Sequence, residues 1–382
     1  MRKIAVIFGG KSCENEISVL TGVFALNLLR GDKFQPVPIY VHTDGVMYTS
    51  EKMFELSAFE KGSVSNFERV FFDEGYVYAF SKGKKKVKRI CKVDAALNCC
   101  HGGLGEGGGV SALMAWNGIA LASPDLVGSG IFMDKCLTKL IMKALNVPTL
   151  EYIRVNERDY QKRCAFLMKS IEARLKYPVV IKPAHLGSSI GISVAQNEAQ
   201  AKQAMECAFL LDNRVLVEKY LPDKKDVNCA AYCIENEIFV SEAEEAFGEG
   251  IYTFEDKYVK RKSDGVRKCD VETGNVFAMK NENAGGRVAL SGEIRDKIRA
   301  YTKTVYKRLN LQGVVRMDFL VSEKKVYLCE VNTVPGSLAY YLFCERISDA
   351  KTFLCDLVED AIARLKEEKK EIVHTGILEK KG

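Results

Sequence analysis

GVVRMDFLVSEKKVYLCEVNTVPG, residues 313–336, divides into two mostly apolar runs joined by the polar turn Ser322-Glu323-Lys324. GVVRMDFLV (313–321) and KVYLCEVNT (325–333) are each long enough for a strand and should pair as a hairpin. Side chains alternate along a strand, which puts Arg316 and Asp318 on one face of the first and Glu330 and Asn332 on one face of the second. A tight turn near Lys324 brings Asp318 opposite or beside Glu330, among the apolar neighbours Val315, Met317, Phe319, Leu328 and Val331. Three oxygen donors on one ribbon face suit Mg²⁺, which takes hard oxygen ligands and shares substrate phosphates. The same pattern also fits a plain polar sheet face with an ion pair from Arg316.

Upstream of the hairpin, Ile294, Ile298, Tyr301, Val305 and Leu309 recur at helical spacing after a Ser291–Glu293 start, the mark of one long amphipathic helix. Downstream, Asp356 to Lys370 reads as a closing helix. Before the long helix, VNCAAYC and EIFVSEA read as a hairpin turning at Glu235-Asn236. A central unit is expected from near Gly130: a helix through Asp134 to Leu145, strands YPVVIKP (177–183), GISVA (191–195) and VLVEKYL (215–221), and a helix over Asn197–Leu211. The first third alternates buried strands with helices. IAVIFGG (4–10), PVPIYVH (36–42), AALNCC (95–100) and IALAS (119–123) are strands, with a helix over Glu16–Leu29, so a parallel α/β sheet is expected. Thr43 to Lys92 is more polar and reads as surface strands and loops. At 382 residues the chain should form two or three packed units.

Two loops sit where such folds bind ligands. Pro183-Ala184-His185-Leu186-Gly187-Ser188-Ser189-Ile190-Gly191 lies between two strands, where backbone amides and serine hydroxyls can cradle phosphate oxygens beside Lys182. A plain hairpin turn has the same composition. His101-Gly102-Gly103-Leu104-Gly105-Glu106-Gly107-Gly108-Gly109 follows a buried strand and precedes a helix, at the carboxyl end of the sheet. Neither glycine loop meets GxGxxG, which argues against a dinucleotide-binding dehydrogenase.

Composition narrows the classes further. The net charge of +6 is concentrated in Lys82–Arg89 and the tail around Lys366–Lys370, read as a solvated hairpin tip and a solvated helix end. No aromatic residues interleave with the first run, so nucleic acid is not the expected partner. Thirteen cysteines are odd in number and irregular in spacing, with no CxxC and only four histidines, which leaves a zinc site without its usual ligands. Free thiols in a reducing cytoplasm fit better. No apolar run reaches the roughly 18 residues of a membrane span, and MRKIAVIFGG reads as a strand entering a glycine turn rather than a signal peptide.

Taken in order, the motifs resemble the D-alanine–D-alanine ligase family of ATP-grasp enzymes over roughly Lys3 to Leu342. GGKSCENEIS (9–18), HGGLGEGG, Met133-Asp134-Lys135, Val180-Ile181-Lys182-Pro183, GSSIG, Val217-Glu218-Lys219-Tyr220, Arg316-x-Asp318 and Glu330-x-Asn332-x-x-Pro335-Gly336 match its signatures. The resemblance implies a three-domain ATP-grasp fold with an N-terminal Rossmann-like domain (1–128), a central subdomain (129–221) and a C-terminal subdomain carrying the magnesium site (222–382). It implies a cytoplasmic enzyme of peptidoglycan precursor synthesis, acting on small amino acids as a homodimer. ATP phosphorylates the carboxylate of a first D-alanine, and the amine of a second attacks the acylphosphate.

The resemblance also distributes roles. Lys135, Lys182 and Ser189 would hold ATP phosphates; Glu218, Lys219 and Leu221 would frame adenine; and Asp226 would bind the ribose. Asp318, Glu330 and Asn332 would hold two Mg²⁺ (or Mn²⁺) ions, and Arg316 would stabilise the acylphosphate and the oxyanion. Glu14 would bind the first amino group and form a triad with Ser188 and Tyr258, with His101 near the first substrate. Lys257, Gly336, Ser337, Tyr341 and Leu342 would line the acceptor side. A tyrosine at Tyr258 goes with D-alanine as acceptor in the family, and phenylalanine there with D-serine. Three positions depart from the pattern: Gly107 and Leu186 replace acids, and Tyr341 stands where a serine receives the second carboxylate. Two alternatives therefore accompany the ligase reading: a different acceptor amine, or a silent nucleotide-binding paralogue.

Overall fold

The computed structural model describes residues 1–60, 62–80, 86–245, 290 and 292–368. Tyr258, Lys257 and Lys82–Lys85 lie outside the described residues. Three sheets carry the fold among those described.

The first sheet is built on β1 (Arg2–Gly9), whose IAVIF core is fully buried. Helix α1 (Asn15–Leu29) packs on it so closely that a Cβ at Gly22 would lie 2.2 Å from Phe8 Cγ, which only glycine permits. β2 (Phe34–Val41), β3 (Met47–Thr49), β4 (Glu68–Asp73), β5 (Tyr76–Phe80), β6 (Val87–Lys92) and β7 (Ala95–Asn98) follow, then α2 (Val110–Trp116) and β8 (Ala120–Leu121). The sheet order is β6-β5-β4-β3-β2-β1-β7-β8. Only β2-β1-β7-β8 run parallel; β3 to β6 extend the same sheet as antiparallel strands. The expected parallel sheet forms in β2-β1-β7-β8, and the surface strands expected over Thr43–Lys92 extend it into one mixed sheet, whose outer half is polar because one side meets solvent.

Helices α3 (Leu126–Met133) and α4 (Lys135–Ala144) lead into the second sheet, ordered β11-β10-β12-β9. It comprises β9 (Tyr152–Asn156), β10 (Val179–Pro183), β11 (Ser193–Ala195) and β12 (Arg214–Lys219), backed by α5 (Glu157–Arg174) and α6 (Glu198–Phe209). β9 and α5 carried no clear pattern in the sequence. The third sheet holds β13 (Lys225–Ile234), β14 (Glu237–Val240), β15 (Glu244–Glu245), β16 (Val315–Ser322) and β17 (Lys325–Asn332), with α7 (Gly292–Arg308) packed against it.

The closing helix α8 (Ile347–Glu368) starts nine residues before the expected Asp356. Phe353, Leu354, Leu357 and Val358 are buried in the same core as α1 and the first sheet, so tertiary packing extends the helix backwards. The last element thus returns to the first unit. Every cysteine among the described residues is free.

Candidate active site

The hairpin forms with Ser322 opposite Lys325 at its turn, a register that by itself would set Asp318 against Cys329. Arg316 pairs with Asn332 and Asp318 with Glu330 across β16 and β17, and a bulge after Asp318 leaves Cys329 unpaired. The bulge moves the strand's face locally, where such irregularities commonly aim side chains. Arg316 donates from Nε and Nη2 to the two oxygens of Asp318 at 2.7 and 2.9 Å, a bidentate pair. Asn332 Nδ2 donates to Asp318 Oδ2 at 3.0 Å. Among the described residues no three His, Cys, Asp or Glu side chains gather into a metal site; the carboxylates of Asp318 and Glu330 with the Asn332 amide form the oxygen-donor group present.

Lys135 opens α4 behind the N-cap Asp134, whose Oδ1 accepts from Cys136 and Leu137 amides at 2.8 and 3.2 Å. Its Nζ donates to the Leu186 carbonyl at 2.6 Å and lies 3.6 Å from Glu330 Oε2. Because the contact is to the Leu186 main chain, the departure at that side chain leaves it intact. At Gly107, a Cβ would approach Met133 Cγ to 3.2 Å, so the missing side chain lets the glycine segment pack against α3.

Glu218 is buried between two ammonium groups. Lys182 Nζ donates to its Oε2 at 2.6 Å, and Lys139 Nζ donates to its Oε1. Burial opposes its ionisation, but the charges and hydrogen bonds of Lys139 and Lys182 win and hold its pKa down to about 2. The Lys182 ammonium is correspondingly stabilised, although burial pulls the other way. Two cations against one anion leave this cluster with a surplus positive charge. Lys139, on the α4 face four residues after Lys135, was not singled out from sequence; that i, i+4 spacing was the available signal. Lys219 is exposed at the end of β12, Leu221 is partly buried beyond it, and Asp226 on β13 pairs with Lys224.

The glycine segment and the loop 183–191 meet at Glu14. Ser188 Oγ donates to Glu14 Oε1, joining residues from the first and central units. A Cβ at Gly102 would lie 2.5 Å from Glu14 Oε2, and one at Gly187 2.7 Å from it, so both loops need glycine to close around the carboxylate. Ser188 and Ser189 hold φ of 51° and 60°, left-handed conformations that serine adopts at a cost.

His101 is buried, with Nε2 2.8 Å from Thr21 Oγ1. Burial lowers its pKa to about 4, with the charge of Arg316 acting in the same direction, so the imidazole is neutral at pH 7. Glu106, five residues on, accepts from the Gly102 amide at 2.7 Å and from the Val334 amide at 3.2 Å. Burial raises its carboxyl to about 7, helped by the nearby charges of Glu14 and Glu330. It ties the glycine segment to the strand end after Asn332, and nothing in the sequence joins positions 228 apart.

Beyond Gly336, which has open space around it, Ser337, Leu338 and Ala339 take φ of 49°, 54° and 51° in succession. This left-handed turn carries Tyr341, whose hydroxyl lies 3.2 Å from Arg316 Nη1, and the buried Leu342.

Solved structures share this architecture. The D-alanine–D-alanine ligase of Helicobacter pylori superposes with a TM-score of 0.74 at 26% identity, over 94% of this chain and 98% of that one. VanG D-Ala:D-Ser ligase of Enterococcus faecalis gives 0.70 at 23% identity, over 95% and 99%, a likeness of fold. The class is therefore an α/β protein of the ATP-grasp fold. The family described as D-ala D-ala ligase matches with its N-terminal part at residues 3–124 and its C-terminal part at 141–363. The D-alanine–D-alanine ligase of Thermosipho melanesiensis is 30% identical over 99% of this chain and 98% of its own. This chain belongs to the D-alanine–D-alanine ligase family.

Proposed function

We propose that this protein joins two D-alanine molecules into a dipeptide for peptidoglycan, converting ATP to ADP and phosphate. The observation that supports this best is the junction at Glu14. It draws the first sheet's carboxylate, the glycine segment and the loop 183–191 to one point, and that loop in turn accepts from Lys135 of α4, which lies 3.6 Å from Glu330 on β17. A carboxylate is a poor electrophile, and phosphorylation by ATP supplies a leaving group. The chain's task is then positioning and charge compensation.

In this reading Lys135, Lys182 and Ser189 hold ATP phosphates. Glu218, which also holds Lys139 and Lys182, frames adenine with Lys219 and Leu221, and Asp226 takes the ribose. Glu14 holds the first amino group with Ser188 and Tyr258 beside it, and neutral His101 donates or accepts near the first carboxylate without adding charge. Arg316 meets the acylphosphate and the oxyanion formed as the second amine attacks and phosphate leaves. The acceptor side comprises Lys257, Gly336, Ser337, Tyr341 and Leu342. Asp318, Glu330 and Asn332 supply oxygen donors that fit two Mg²⁺ ions, whose chemistry is charge neutralisation at the transferred phosphoryl group. The three units 1–128, 129–221 and 222–382, the last sending α8 back to the core of the first, a homodimer and a cytoplasmic location complete the reading. No described helix is long and apolar enough to cross a membrane.

Phosphate release from ATP, measured against a panel of D- and L-amino acids, tests it. Release is expected with D-alanine and not with L-alanine, and Glu330→Gln should remove most of it while leaving the fold intact. Absence of D-alanine-dependent release would refute the assignment.

A further inference from the structure

The position that departs most from the family pattern makes a specific contact. Among the described residues, Arg316 commits three of its five N–H groups: Nε and Nη2 to Asp318, and Nη1 to the Tyr341 hydroxyl at 3.2 Å. Two N–H groups remain for substrate oxygens. Asp318 is itself held by Asn332, so a chain of contacts runs from Asn332 through Asp318 and Arg316 to Tyr341.

Tyr341 is not free to wander. It follows the left-handed turn of Ser337, Leu338 and Ala339, and its ring packs edge-on against Tyr340 at 6.2 Å. Tyr340 in turn stacks on Phe24 of α1 at 5.0 Å, which anchors the loop to the first unit. A serine hydroxyl at this position would sit roughly 4 Å nearer the backbone, beyond the normal 2.7–3.2 Å reach of an N–H···O bond to the same nitrogen. The contact needs the phenol.

We propose that Tyr341 is a positioning residue for Arg316, and that its hydroxyl links the acceptor amino acid to the guanidinium that meets the acylphosphate. The phenol oxygen accepts from Nη1, which leaves its own proton to donate. The natural recipient on this loop is the carboxylate of the second amino acid. One hydroxyl then does two things: it fixes the guanidinium from the side opposite Asp318, and it registers that the acceptor has arrived. This rests on the ligase reading given above.

Tyr341→Phe keeps the ring and removes both hydrogen bonds. A crystal structure of the variant should show the Arg316 guanidinium displaced or in several orientations; a guanidinium that stays in its parental place overturns the proposal. In steady-state kinetics kcat should fall at least about tenfold and the KM for the second amino acid should rise, with the KM for ATP and the thermal midpoint unchanged. Unchanged kcat and KM, or a loss accompanied by a lowered midpoint and a raised KM for ATP, counts against it. Tyr341→Ser should not restore the rate, because its hydroxyl does not reach Nη1; full activity in that variant also refutes the idea. If the parent protein releases no phosphate with D-alanine, the ligase reading fails, and the structure of Tyr341→Phe still decides the role of Tyr341.

Discussion

Replacing Glu106 by glutamine should change the pH dependence of stability more than stability itself. The Glu106 carboxyl is raised from 4.5 to about 7, chiefly by burial. That rise corresponds to about 3 kcal/mol between its two protonation states. The residue is only partly buried, so this is an upper limit. The sign follows from proton counts. Below pH 4.5 the carboxyl is protonated in both folded and unfolded chains. Between 4.5 and 7 the unfolded chain releases a proton that the folded chain keeps, so stability falls as pH rises. Above 7 both are ionised and the loss is complete. Glutamine keeps one acceptor oxygen for the amides of Gly102 and Val334 but opposes the other with an NH₂ group, a pH-independent cost of about 1–3 kcal/mol. Urea unfolding of parent and Glu106→Gln at intervals from pH 4 to 8 isolates the effect, since the other titrating groups cancel in the difference. The parent's advantage should shrink by up to about 3 kcal/mol across that range. A difference that stays flat would show that Glu106 titrates normally, and the argument from burial would fail.

Two further outcomes follow from the lysine clusters. Lys135→Ala and Lys182→Ala should each weaken ATP binding by about 1–3 kcal/mol in calorimetry, the range for a charge-assisted contact, and parental affinity in both would remove the shared phosphate site. Glu218→Gln leaves Lys139 and Lys182 facing each other without their carboxylate and should cost about 3–5 kcal/mol in urea unfolding. A loss below about 1 kcal/mol would mean that the two ammoniums find other compensation, by hydration or by giving up a proton.

Much of the fold was legible because its signals are local. Side-chain alternation put Arg316 with Asp318 on one face of β16 and Glu330 with Asn332 on one face of β17; the register of the polar turn alone would set Asp318 against Cys329, and the bulge at Cys329 brings Glu330 opposite it. Strand β1 and helix α1 announce themselves by an unbroken apolar run and by a helical pattern. What escaped depended on distant partners. The first turns of α8, from Ile347, carry Ser348, Asp349 and Lys351 and read as loop until the first sheet and α1 are there to receive Phe353 and Leu354. Strands β3 to β6 read as surface strands because their sequence records one solvated side, and only pairing shows that they extend β2.

The site was legible in its residue types and hidden in its joins, and the joins are where local backbone rules are broken. Ser188 and Ser189 sit in left-handed conformations beside Gly187; Ser337 to Ala339 make a left-handed turn; and Cys329 bulges out of β17. Each of these costs free energy and none improves a strand or a helix, so each has to be held by contacts from elsewhere. Those contacts exist. Glu14 engages Ser188, Glu106 grips the Val334 amide, Leu338 and Ala339 are buried, and Tyr341 reaches Arg316. A sequence motif such as GSSIG or NTVPG therefore states which atoms are supplied but not the direction in which they are aimed. Direction comes from residues 81 to 228 positions away, at Cys99, Ser188 and Val334, that bind the two segments containing Glu14 and Glu106 to the rest. This is why Glu106 could be quoted as part of a motif and given no role. Its function depends on an amide that belongs to the opposite unit, and the same holds for Tyr341, whose meaning changes from a misplaced serine to a partner of Arg316 once the turn before it is known.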